Sequence, residues 1–188
     1  MNWYKSDNME IKIRKADVYD AEMISLIGKI SFRKEYEHFF KSREEMDAYL
    51  RLVYNPAKIA VSITKENNVY FFAVIDERPV GFAKVKRHSL NDQIEANFQM
   101  ELQKLYVFPG YQGKGVGRAL VKEVKKLAIE IYPDYIWLDM YISNERAIRF
   151  YERNGFHITG DHHFTIGSQT FKYKLMAWPV ALRKSVAC

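Results

Sequence analysis

Gln112-Gly113-Lys114-Gly115-Val116-Gly117-Arg118 stands between an apolar, strand-like run, Leu102 to Val107, and a long helical pattern, Ala119 to Ile131. Three glycines at alternate positions let the backbone turn tightly and approach a ligand with no Cβ in the way. The helix that follows presents unpaired backbone N–H groups and the positive end of its dipole, a setting that suits phosphate or pyrophosphate. Lys114 and Arg118 add positive charge beside it. The stretch reads as a grip for a nucleotide-like cofactor, the bland alternative being a flexible turn.

Two familiar phosphate loops are excluded by the spacing. A Walker A loop needs Gly-Lys followed by Ser or Thr to hold magnesium, and Lys114 is followed by Gly115. A dinucleotide fold wants G-x-G-x-x-G near the start of a parallel unit. Here the pattern is G-x-G-x-G, well past the middle of the chain.

A second segment completes the pattern: Asn144-Glu145-Arg146-Ala147-Ile148-Arg149-Phe150-Tyr151-Glu152-Arg153-Asn154-Gly155-Phe156. Together with Gln112-x-x-Gly115-x-Gly117, it resembles the GNAT superfamily of acyl-CoA-dependent N-acyltransferases. That family's first motif is Gln/Arg-x-x-Gly-x-Gly/Ala. Its second places Asn at a helix start, then Ala, Phe-Tyr, and Gly-Phe at the exit. The resemblance implies an α/β fold with a mixed central sheet of about seven strands and helices on both faces. It also implies acetyl-CoA as the acyl donor.

Composition agrees. At 188 residues the chain suits a single domain, 1–188, with a full core. Apolar residues make up 48%, which argues against disorder. No apolar run approaches the ~20 residues of a membrane span, and Met1 to Glu10 has no signal-peptide core. The one cysteine, Cys188, permits no intrachain disulfide, so a reducing, cytoplasmic setting is expected. A net charge of +6 invites a nucleic-acid reading. The basic residues are spread rather than clustered, however, and an anionic cofactor accounts for a mild basic excess. No nucleic-acid or membrane partner is expected; the oligomeric state stays open, a homodimer being one expectation.

Along the chain, Glu10 to Lys15 alternates as a half-buried strand. Asp17 to Asp20 opens a helix with Met23, Ile24, Ile27 and Ile30 as its stripe. Ser42 and Glu45 are spaced as a capping box ahead of Met46, Tyr49, Leu50 and Val53, and Asn55-Pro56 ends that helix. Ala57 to Thr64 is short helix or irregular. Val69 to Asp76 and Pro79 to Arg87 read as a hairpin turning at Glu77-Arg78. Glu95 to Val107 reads as a third antiparallel strand. After the glycine stretch, Leu120, Val121, Val124, Leu127 and Ile131 recur at helical spacing, until Pro133. Ile136 to Tyr141 is a buried strand, Asn144 starts the next helix, and Gly155 is placed to cap it. Phe156 to Phe164 and Thr170 to Trp178 make a last hairpin around Gly167-Ser168.

The chemistry sets its own needs. A lysine-like amine has a pKa near ~10.4 and must lose a proton before it attacks. The thioester carbonyl must be polarised and the departing thiolate protonated. A ternary complex suffices, without an acyl-enzyme. Tyr151, about two turns into its helix, is the candidate general acid; by resemblance it faces the cofactor sulfur, and its bland alternative is a core aromatic beside Phe150. Asn144 reads as an N-cap and, by resemblance, also reaches the pantetheine arm. Glu101 is the candidate base, the strand leading to the glycine stretch often carrying one in the family; an exposed strand-end glutamate is the alternative. By the same resemblance the backbone of Leu105, Tyr106 and Val107 holds the pantetheine, Gln112 to Arg118 the pyrophosphate, and Arg153 belongs to the cofactor side.

For the acceptor, the run Lys41-Ser42-Arg43-Glu44-Glu45-Met46-Asp47-Ala48-Tyr49-Leu50 after Phe32, and the tail Thr159-Gly160, His162, Phe164, Gly167, Leu175-Met176-Ala177, resemble the PaiA-like polyamine acetyltransferase branch. A polyamine needs carboxylates and aromatics. Phe32, Glu35, Glu44 and Glu45, with Glu37 and Asp47, supply them on the family's acceptor side, although charge runs more often form a solvated face. A protein or amino-acid-like amine is the alternative acceptor, and a non-catalytic acyl-CoA sensor the alternative from another class. The five histidines show no metal spacing, and His162-His163 on a strand point to opposite faces, so no metal is expected.

Overall fold

The computed structural model describes residues 2–6, 9–166 and 169–180. It opens with a hairpin that the sequence pattern conceals. Asn2–Ser6 (β1) pairs antiparallel with Met9–Lys15 (β2), Asn2 opposite Ile13. The helices are Ala21–Tyr36 (α1), Arg43–Val53 (α2), Pro56–Ile63 (α3), Val116–Ile131 (α4) and Glu145–Arg153 (α5). The remaining strands are Asn68–Ile75 (β3), Arg78–Lys86 (β4), Gln99–Val107 (β5), Tyr135–Tyr141 (β6), His157–Ile166 (β7) and Gln169–Pro179 (β8). The eight strands of the described residues hydrogen-bond in the order β1-β2-β3-β4-β5-β6-β8-β7. The sheet is mixed, as expected: β5 and β6 run parallel, while β6–β8 and β7–β8 are antiparallel. It has one strand more than the seven read from the sequence, because β1 carries few β-branched residues and lies next to β2 alone.

Contacts cluster in two compact units, Met1–Lys84 with Lys104–Glu123, and Val85–Gln103 with Val124–Cys188. In the first, β2 buries Ile11 and Ile13, and β3 is buried almost throughout. Helix α1 buries Ile24 and Ile27, with Met23 and Ile30 half-covered; α2 buries Met46 and Leu50. Ser42 caps α2 by accepting from Glu45 N at 3.1 Å, and Asn55 caps α3, which is a full helix where the sequence left helix or loop open. Tyr54 fills the space under α1: a Cβ on Gly28 would lie 2.4 Å from its ring. The β3–β4 turn falls one residue earlier than expected. Asp76 and Glu77 both take positive φ, 48° and 58°, the geometry of a tight turn whose twist matches a hairpin. Helix α4 starts at Val116, three residues before the expected Ala119, because Gly115 and Gly117 accommodate the bend and the first turn together.

In the second unit, the expected strand from Glu95 is shorter, β5 starting at Gln99. The preceding residues form a loop held by Gln99, whose side chain is 1% exposed. Its amide donates to the carbonyls of Ile94 and Ala96, both at 2.9 Å, and its oxygen accepts from Asn91 N at 2.8 Å. Asn144 caps α5, accepting from Ala147 N at 3.1 Å, and Gly155 follows the helix at φ 82°. The β7–β8 hairpin has a bulge between Ile158 and Gly160; its expected turn, Gly167-Ser168, lies outside the described residues, as does Cys188.

Candidate active site

The candidate residues divide between the units. In the first, Phe108 N donates to Val80 O at 2.7 Å and Tyr111 N to Phe108 O at 3.0 Å, which bends the chain out of β5. Gly110, Gly113 and Gly115 then take φ of 95°, 79° and 84°. Ala119 N donates to Gly115 O at 2.9 Å, so Gly115 stands at the helix start and the amides of Val116, Gly117 and Arg118 precede the first intrahelical bond. Val116 is buried and anchors the turn, whereas Lys114 and Arg118 are exposed, Lys114 lying 5.3 Å over the Tyr111 ring. A Cβ at Gly113 would meet nothing within 4 Å, so the loop face is clear for an anion. Such a loop fits a pyrophosphate: free amides, a helix dipole and two exposed cations. Gln112 turns inward, toward Val107 O at 3.5 Å, and Ser31 of α1 donates to the same carbonyl at 3.3 Å. Leu105, Tyr106 and Val107 are half-exposed.

The proposed acceptor residues in this unit have structural occupations. Phe32 is buried among Tyr36, Phe40, Tyr49 and Tyr54, with ring centroids 4.5 to 6.3 Å away. Arg33 pairs with Asp47 and, at 3.5 Å, with Glu37. Glu35 is half-buried, Glu44 is exposed, and Glu45 occupies the first turn of α2. A cavity in the same unit is lined by Tyr54, Tyr70 and Phe82 with Lys58, Lys84 and Lys104, a charge unsuited to a polycation.

In the second unit, Tyr151 is 5% exposed, edge-on to Phe150 at 5.0 Å and to Phe156 at 5.6 Å. Burial pushes its phenol far above the ordinary value, so the hydroxyl stays protonated. Asn144 fixes the start of the same helix; Arg153 lies in its last turn. Glu101, on β5, accepts from Ser89 Oγ at 2.8 Å and pairs with Lys86 Nζ at 3.0 Å. Ser89 belongs to the loop that Gln99 holds, and Trp137 Nε1 donates to Ser89 O at 2.7 Å.

Two residues that the sequence reading left without a role in the chemistry share the sheet face of Glu101. Glu101 is the β5 partner of Trp137, so alternation puts Asp139 and Tyr141 on its face of the sheet. Across β8 and β7 the same face carries Tyr173 and His162. His162 Nδ1 and Asp139 Oδ2 share a hydrogen bond at 2.7 Å. Burial pushes Asp139 above the usual carboxylate range; the His162 bond and charge pull it back, and Glu101 pushes it further up. His163 points to the other face, and the described residues hold no cluster of three metal-ligating side chains. No described helix is long and apolar enough to cross a membrane.

Comparison with known proteins gives concordant findings. The model of the acetyltransferase (GNAT) family matches residues 25–156. An uncharacterized N-acetyltransferase of Mycobacterium tuberculosis is 32% identical over 125 residues, 66% of this chain and 76% of its own. The spermidine N(1)-acetyltransferase of Thermoplasma acidophilum is 27% identical over 154 residues, 80% of this chain and 90% of its own. The crystal structure of the PaiA N-acetyltransferase from Thermoplasma acidophilum in complex with coenzyme A superposes with a TM-score of 0.71 at 22% identity, covering 90% of this chain and 98% of that one. This last likeness is one of fold.

Proposed function

Because the chain belongs to the GNAT acetyltransferase family and is thereby an acetyl-CoA-dependent N-acetyltransferase, we propose that its acceptor is a primary amine of a polyamine, attacked directly in a ternary complex. The observation that carries this reading is the face in the second unit where Glu101 and Asp139 lie with Tyr141 and Tyr173. Carboxylates and aromatic faces are what a flexible polycation needs. The likeness to a spermidine N(1)-acetyltransferase over most of the chain supports it.

The donor supplies the activated acetyl group. The glycine-loop amides, Lys114 and Arg118 take its pyrophosphate, and the strand backbone of Leu105 to Val107 its pantetheine. Tyr151 gives a proton to the sulfur as the carbon–sulfur bond breaks; its burial keeps that proton in place until then. Asn144 sets the helix that aims it. Glu101, held by Ser89 and Lys86, offers fixed negative charge to the ammonium end of the acceptor rather than a free lone pair.

The deciding experiment is an amine panel (spermidine, spermine, putrescine, a neutral-tailed monoamine and a peptide amine) with acetyl-CoA, following thiol release. Polyamines are expected to lead in kcat/KM. Acetylation of the peptide amine with spermidine left untouched would remove the polyamine reading.

A further inference from the structure

A base has to take the amine's proton, and Glu101 is already engaged. On the same face, His162 Nδ1 is 2.7 Å from Asp139 Oδ2, a separation that requires one shared proton. With that proton on Nδ1, the other ring nitrogen, Nε2, keeps its lone pair. The side chain is 39% exposed, and among the described residues the hydrogen bond of its ring is the one at Nδ1. Asp139 is more deeply set, its side chain 26% exposed, and its second oxygen, Oδ1, is buried with no partner. The parallel β5–β6 ladder stops at Glu101 and Trp137, and Asp139 lies two residues beyond, at the carboxyl end of β6. Ligands in open α/β sheets bind outside the carboxyl ends of strands.

We propose that His162 is the catalytic base of the acetyl transfer and that Asp139 is the positioning residue that fixes its tautomer and steadies its charged form. The ammonium gives one proton to Nε2 and becomes a nucleophile. As its nitrogen bonds to the acetyl carbon, the carbon–sulfur bond breaks and its electron pair leaves on sulfur. The surplus proton on nitrogen replaces the one that Tyr151 gives to sulfur. His162 returns its own proton to water. The groups around the imidazole are accounted for: Asp139 and Tyr141 from β6, Tyr173 from β8, and Glu101 with its Lys86 further along the face. Asp161 and His163, its chain neighbours, point to the opposite face, where Asp161 is paired with Lys172 and Lys174. This proposal rests on the acetyltransferase activity and not on which amine is used.

The test is the pH profile of kcat/KM for wild type, His162→Gln, His162→Ala and Asp139→Asn. Wild type should show an acid limb, activity falling as the base takes up a proton. In His162→Gln that limb should vanish and kcat fall ~10²-fold or more, with acetyl-CoA affinity by calorimetry unchanged. Added imidazole should partly restore His162→Ala, which a packing defect would not allow. Asp139→Asn should lower kcat with acetyl-CoA affinity unchanged, because the imidazole loses the partner that holds it. A normal limb with kcat within twofold in His162→Gln overturns the proposal. Should the variants not fold, ring-nitrogen NMR of the wild type decides instead: the Nδ1–H tautomer supports it and the Nε2–H tautomer overturns it. If spermidine is inert, the same profiles are run with whichever panel amine is acetylated, so that the polyamine reading falls separately from this one.

Discussion

Tyr151 has its hydroxyl at the end of a ring packed edge-on between Phe150 and Phe156, so removing the oxygen changes the packing little. Tyr151→Phe should therefore fold like wild type, bind acetyl-CoA alike, and lose ~10²-fold in kcat, because only the proton donor is gone. Steady-state kinetics beside calorimetry check this; unaltered turnover would make Tyr151 a packing residue. Gly115 is the contrasting case. At φ 84° any β-branched side chain is strained there, and Gly115→Val should abolish CoA binding measured by calorimetry while the far-UV spectrum stays native. Gly28 works by proximity instead. A methyl there would lie 2.4 Å from the Tyr54 ring, inside a packed core. Overpacking costs about 1–3 kcal/mol, against a gain of about 1 kcal/mol from alanine's helix propensity. Gly28→Ala should thus lower the urea midpoint at unchanged slope, and a raised midpoint would mean that Tyr54 yields.

Between β2 and α1, Arg14 grips Asp20 with both guanidinium nitrogens, at 2.6 and 2.7 Å, and Asp20 also accepts from Asp17 N at 2.9 Å. Burial pushes the Asp20 carboxyl up, but the Arg14 bonds, the Asp17 amide and the Arg14 charge together hold it below its ordinary value. A depressed folded-state pKa gives stability above the unfolded value of ~3.9 and loses it as pH falls through the folded one. Asp20→Asn should cost about 1–3 kcal/mol at pH 7 and progressively less toward pH 3, measured by urea melts at both. The elements that the sequence made legible are those with local punctuation. Asn144, Ser42 and Gly155 each mark a helix end by their own side chain or φ, and each does so in the structure. What stayed hidden depends on distant partners. β1 becomes a strand only because β2 lies beside it. The residues from Glu95 up to β5 read as strand, whereas it is the buried Gln99 amide that folds them into a loop. Likewise the cofactor loop could be read directly, being contiguous, while Asp139 and His162 are 23 residues apart and meet only through strand register.

At the scale of the molecule, two electrostatic terms oppose each other in the polyamine reading. A net charge of +6 repels a polycation at long range, while Glu101 and Asp139 attract it locally. Salt separates them, because the screening length is ~30 Å at 0.01 M and ~8 Å at 0.15 M. Above ~0.15 M the global repulsion is largely gone, and the remaining sensitivity reports the charges at the amine. Between 0.15 and 0.5 M the KM for spermidine should rise, and more steeply than that for a monoamine, with the acetyl-CoA constant tracked separately because its own phosphates are screened too. Neutralisation then locates the attraction. Glu44→Gln with Glu45→Gln tests the α2 end, where Arg33 already draws on Glu37 and Asp47. Glu101→Gln tests the sheet face. If the sheet face holds the acceptor, Glu101→Gln raises the spermidine KM several-fold and flattens its salt slope, whereas the α2 pair leaves both unchanged. The reverse pattern would return the acceptor to the α2 carboxylates, and equal salt slopes for spermidine and a monoamine would mean that the enzyme does not read its substrate by charge.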